Sequence, residues 1–266
     1  MCTASLIPID AGYRLVHSRD EQRDRSPAEP PVWRSLPAGI SGRERVRALA
    51  PLDPDGGGTW IATDHTGRTV AIMNANPPRP DGGSPGTHAG PDASDRSGAS
   101  PPSRGVLAGL LLRAGGWPPD DARLRAQAAL MRPHRAVVIE PVATPGDPPR
   151  VAVWSGGAGE RGVWTDSAAP NVWVSSGLGD DRVSPRIELF DRLVAAEPSP
   201  DAQDAFHRHR WAQRPEISVL MERDTARTVS VLTVELVPGR ARMLYQSVEA
   251  TGGLGPPEVA EAPAWA

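Results

Sequence analysis

The chain of 266 residues has a single cysteine, Cys2, so no disulfide can form within it, a usage that suits a reducing cytoplasm. A basic excess is also missing. The formal charge is −3, which offers neither nucleic acid nor an anionic membrane surface a cationic field to bind. Long hydrophobic runs are absent: the apolar start is broken by Pro8 and Asp10, and the run at 106–112 is short. The sequence therefore predicts neither a signal segment nor a membrane span. Aromatic residues are few, two Tyr and two Phe, yet there are eight Trp. Trp60, Trp154, Trp164 and Trp173 fall in strand-like runs and are expected to pack sheets.

What remains is a mildly acidic chain with enough apolar residues to bury a substantial core. Residues 77–103 have no hydrophobic period and read as a disordered insertion in a single domain over 1–249, and 250–266 reads as a flexible tail. Strands are predicted at 3–9, 13–17, 59–63, 69–73, 135–140, 151–154, 171–174, 216–221, 228–237 and 242–247. Helices are predicted at 104–113, 120–131, 185–196 and 201–211. Hairpins interspersed with a few helices indicate an α+β protein with largely antiparallel sheets.

Two hairpins carry the chemistry. The turn at Asp10-Ala11-Gly12 puts Cys2 opposite Asp20, with Ser18 and Arg19 alongside. The turn at Asp64–Gly67 puts Asn74 opposite Gly56, Gly57 and Gly58. A side-chain amide beside an open glycine segment can hold an oxyanion, while the plainer reading of the glycines is a loose loop before a strand. If Met1 is removed, Cys2 carries both an α-amine with a reference pKa of about 7.7–8.0 and a thiol of about 8.5. The amine can then act as general base for its own side chain, with Arg19 favouring the thiolate and Asp20 holding the ammonium. The competing reading is a small inert residue after Met. His207 and His209 are two apart on a predicted helix and cannot share a face, so they read as a solvated helix surface rather than a metal site. The Gly-rich 155–159 lacks a phosphate-binding pattern and reads as a turn. No cofactor and no metal are expected.

MCT at the start, SRDE at 18–21, GGTW at 57–60, Asn74 and SRG at 103–105 occur in an order that resembles the NRDE family, best known for its transport and Golgi organisation protein 2 branch. WVSSGLGDDRVSPR at 173–186 is similar to the family's "LSNA…PW.K" stretch, and TARTVSVLTVEL at 225–236 to its "GTRS.T" strand. The resemblance implies an N-terminal-nucleophile-hydrolase-like fold, an αββα four-layer sandwich of antiparallel sheets. It also implies distant kinship to bile-salt and penicillin acylases, which cleave amides with an N-terminal Cys. Carried over, Cys2 becomes the nucleophile, Arg19 and Asp20 its polar support, Asn74 an oxyanion donor and Arg227 a further active-site cation. Ser176 occupies the oxyanion position. Three residues depart from the pattern: Ser18 and Ser176 replace Asn, and Ser184 replaces Trp. Loss of one oxyanion donor typically costs about 10²–10³ in rate. The implied function is an amidohydrolase acting on a small-molecule C–N bond through a thioester, and the alternative is a non-catalytic carrier of an apolar ligand such as haem, a lipid or acyl-CoA.

Overall fold

A computed structural model describes residues 2–76, 101–141 and 147–264. The expected insertion at 77–103 and Trp265 lie largely or wholly outside them. In chain order the strands and helices are β1 (Cys2–Ile9), β2 (Gly12–Gln22), β3 (Glu29–Pro37), β4 (Arg45–Leu52), β5 (Ile61–Thr63), β6 (Thr69–Asn74), α1 (Leu107–Arg113), α2 (Ala122–Ala129) and β7 (His134–Glu140). There follow β8 (Arg150–Gly157), β9 (Glu160–Ser167), β10 (Asn171–Ser175), α3 (Pro185–Phe190), α4 (Pro200–His207), β11 (Ala226–Val237), β12 (Arg240–Ser247) and β13 (Glu258–Pro263).

Two antiparallel sheets form, one ordered β10-β1-β2-β11-β12-β13 and the other β3-β4-β5-β6-β7-β8-β9. The period of two along each strand sorts its side chains between two layers. Leu6, Leu15, Met73, Val137 and Leu232 fill the space between the sheets. The opposite face of the second sheet, with Val70, Val138 and Trp154, packs on Leu107, Leu111 and Leu124 of α1 and α2. Ile7, Val172 and Val174 of the first sheet meet Phe190 and Phe206 of α3 and α4. Each such large apolar side chain contributes about 1.5–3 kcal/mol by leaving water. The layers run helix, sheet, sheet, helix, as expected. Caps set the helix starts: Asp121 Oδ1 accepts from the Leu124 N–H at 2.6 Å, and Ser199 Oγ from the Ala202 N–H at 3.3 Å.

Several elements differ from the sequence reading. β3 and β4 were not among the expected strands; β3 tolerates Pro30 and Pro31 as the edge of its sheet, where its register shifts between Glu29 and Val32. The strand expected at 216–221 is a short 3-10 turn, Pro215–Ile217, and then irregular chain. The carbonyls of Ile217 and Ser218, which a strand would offer to a neighbour, instead accept from the buried Arg186 guanidinium at 2.9 and 2.6 Å. The expected flexible tail contributes β13, which pairs with β12 and buries Ala262.

Candidate active site

Cys2 opens β1, which runs between β2 and β10. Its Cα partner on β2 is Arg19, one residue short of the predicted Asp20, because the turn closes on the pair Ile9–Gly12. A shift of one residue matters in a strand, since it exchanges faces. Cys2 and Arg19 therefore look between the sheets with Ala4 and Leu15, whereas Asp20 follows Val16 and Ser18 toward the helices. Arg19 is buried and lies over the Trp60 ring, its guanidinium carbon 4.5 Å from the centroid. It donates to Asp53 Oδ2 at 3.0 Å and to Glu21 Oε2 at 3.3 Å. The side chain is fixed at both its face and its fork.

Asp20 accepts from the Thr228 hydroxyl at 2.6 Å and stands 3.6 Å from Arg186 Nη1. Arg186 is fully buried and also donates to Thr3 Oγ1 at 2.7 Å. Burial lowers the Arg186 pKa, and the Asp20 carboxylate counters that loss. Two buried charges thus share one hydrogen-bonded seat behind β1 and β2.

The main-chain nitrogen of Cys2 donates to Ser175 Oγ at 3.0 Å. The sequence reading named only the neighbouring Ser176, and for a different role, the oxyanion position. Ser176 sits in the turn after β10: its N–H donates to Asp180 Oδ1 at 2.9 Å and its hydroxyl accepts from the Leu178 N–H and Arg223 Nη2, each at 3.1 Å. Trp173 packs between the sheets, so the period of two assigns that face to Ser175. That alternation was the signal available for finding it.

A cleft of about 360 Å³ opens over Cys2, and Arg19, Asp20, Asp53, Asn74 and Arg104 are among its lining residues. Asn74, at the end of β6, lines the cleft together with Gly56 and Gly58. Arg227 is not in the lining: it points to the Glu249 carbonyl, 2.9 Å from Nη1. Asp53, Ser175, Thr228 and Arg186 were missed, since their links to Cys2, Arg19 and Asp20 cross long stretches of sequence. The glycines before Trp60 are not a loose loop. A Cβ on Gly58 would lie 2.5 Å from the Gly105 carbonyl carbon, and one on Gly105 would lie 2.9 Å from Gly58 Cα. The two backbones touch, and the Thr59 N–H donates to the Gly105 carbonyl at 3.2 Å. This contact carries Ser103-Arg104-Gly105 into the wall of the cleft.

Burial pushes the Cys2 thiol pKa up, Arg19 draws it down, and Asp20 and Glu21 raise it further. The resting side chain is a neutral thiol that needs a base. His207 is not on a solvated face as expected; it is buried, with Nε2 2.8 Å from Ser5 Oγ and Nδ1 2.7 Å from Ser18 Oγ. Ser18 thereby joins β2 to α4. Among the described residues no group of three His, Cys, Asp or Glu is placed to hold a metal, and no helix is long and apolar enough to cross a membrane.

No family model and no curated protein matches the chain, so the NRDE resemblance rests on the motifs alone. Among solved structures, a penicillin V acylase from Agrobacterium tumefaciens is similar over 99% of this chain and 86% of its own, with a TM-score of 0.53 and 13% sequence identity. At that identity the likeness speaks to architecture only. It joins the paired sheets and flanking helices in one conclusion: the fold is an αββα sandwich of the N-terminal-nucleophile-hydrolase type, with a buried cysteine at the start of its first strand.

Proposed function

We propose that the chain is an amidohydrolase that uses Cys2 as an N-terminal nucleophile. The observation that carries this reading is the position of Cys2: it lies in a charged cleft opposite Arg19, with its main-chain nitrogen already on the Ser175 hydroxyl. With Met1 removed, that nitrogen is an amine beside the thiol, held by an oxygen that can accept one of its protons. The amine takes the thiol proton. Sulfur then bonds to the substrate carbonyl carbon, and the carbonyl electron pair moves to oxygen, which Asn74 and nearby N–H groups stabilise. As the tetrahedral species collapses, the C–N bond breaks and the ammonium proton goes to the leaving amine. Water, deprotonated by the same amine, cleaves the thioester to a carboxylic acid and regenerates the thiol. Arg19, Asp20, Asp53 and Arg186 hold this geometry rather than react. The charged lining supports the enzyme over a carrier of haem or lipid, whose ligand needs an apolar wall.

The sequence has no lysine and one cysteine, so an unblocked Cys2 is the sole 1,2-aminothiol and the sole primary amine. Condensation of an aldehyde to a thiazolidine, read by intact mass together with loss of Met1, is the expected result on the mature protein. A β-lactone probe should then acylate the wild type and leave Cys2→Ala unmodified. Retention of Met1, or no Cys2-dependent adduct from a broad panel of β-lactones and activated amides, overturns the reading.

A further inference from the structure

The charges in the cleft do not cancel. Glu21 and Asp53 serve Arg19 and Arg25: Arg25 stands 2.6 Å from Asp53 Oδ2 and 3.5 Å from Glu21 Oε2, while Arg19 takes the same two carboxylates. Asp20 is turned to Thr228 and Arg186 behind the strands. Arg104 is different. Among the described residues it meets no carboxylate, and Nη1 donates to the neutral Pro133 carbonyl at 3.1 Å. Partial burial lowers its pKa and the neighbouring Arg132 adds to that, while Cys2 and Glu21 restore only part of the loss. Its backbone is held beside Gly58 by the glycine contact, and it lines the same cleft as Asn74 and Cys2. A cation without a carboxylate partner, in a cleft and on a segment packed against Gly58, is suited to receive an anion. Guanidinium binds carboxylate through two parallel N–H···O bonds, stronger than neutral pairs. The volume of about 360 Å³ is at the lower end of small-ligand sites, so the anion belongs to a compact molecule rather than to a polymer or a long acyl chain.

We propose that the cleft recognises a small amide bearing a carboxylate, and that Arg104 is the residue that selects for that group. The word amide rests on the nucleophile reading of Cys2; the carboxylate subsite rests on Arg104 and stands without it. The test is binding with the thiol removed. Benzoylglycine and its neutral carboxamide are titrated by calorimetry, at low salt, into the full chain carrying Cys2→Ala, and into the same chain with Arg104→Gln or Arg104→Lys added. The expected result is that the carboxylate binds about tenfold or more tightly than the carboxamide. Arg104→Gln should abolish that preference without changing carboxamide affinity, and Arg104→Lys should retain part of it. Equal affinity for the two ligands, a preference that survives Arg104→Gln, or no binding of the carboxylate at millimolar concentration overturns the proposal. Because no bond is made or broken in this assay, a chain that never forms a thioester still shows the preference. Conversely, Cys2 can be acylated by a neutral β-lactone in a chain that shows none.

Discussion

At Cys2, burial raises the thiol pKa, the Arg19 guanidinium opposes the rise, and the Asp20 and Glu21 carboxylates add to it. Alkylation by iodoacetamide should therefore be slow at neutral pH and quicken as pH increases through the thiol's titration. Arg19→Gln should move that profile to higher pH and Asp20→Asn to lower pH, the senses in which removal of each charge acts on a thiolate. Profiles that coincide, or that shift in the reverse sense, would show that these side chains do not set the thiol's charge. Cys2, Arg19, Asp20 and Asn74 could be placed to within a residue because each lies on a strand of a tight hairpin, whose turn fixes which positions face one another. Ser175 was not named, because its place beside the Cys2 nitrogen follows from strand phase, which motif spacing does not report. Arg227, expected as an active-site cation, sends its side chain to the Glu249 carbonyl, a direction that motif position does not report.

Among elements, the segment before Trp60 and the segment leading into α1 depend on one another. Gly58 and Gly105 approach so closely that a methyl group on either displaces the other's backbone. Gly58→Ala and Gly105→Ala should each lower stability by about 1–3 kcal/mol, the usual cost of forcing extra atoms into a packed site. Both should also slow probe labelling of Cys2, because Arg104 and Asn74 line the same wall. Chemical denaturation and labelling rates measure the two effects separately. Variants as stable as wild type would mean that the contact is slack. Element types were readable where hydrophobic period and turn residues agreed, as in β1, β2, β11 and β12. They were not readable in β3, where prolines obscured the strand pattern, nor at 216–221, where a buried arginine collects the carbonyls. No local pattern announces a hydrogen-bond partner on α3.

For the molecule as a whole, acid should act through two buried imidazoles. Burial lowers the His17 pKa to about 3 and the His207 pKa well below its usual value. The unfolded chain binds protons near the ordinary histidine pKa of about 6.5, and the folded chain refuses them. Stability from this source is complete above about pH 6.5 and declines as pH falls toward 3, by up to about 1.4 kcal/mol per pH unit for each site. Urea unfolding from pH 7 to pH 4 should show that decline, and His207→Gln should make it shallower. An unchanged pH slope in that variant would mean that His207 is protonated in the fold. The four-layer architecture was accessible from sequence through motif order and antiparallel patterning, while the buried polar links between layers were not, since each joins residues remote along the chain.

β1 is an interior strand whose two neighbours are made at very different times. β2 follows at once, but Ser175, which receives the Cys2 N–H, lies 173 positions later. At ordinary translation speeds the ribosome needs on the order of ten seconds or more to supply it. For that interval the first strand has one open edge, which stays unpaired until β10 arrives and closes the seam.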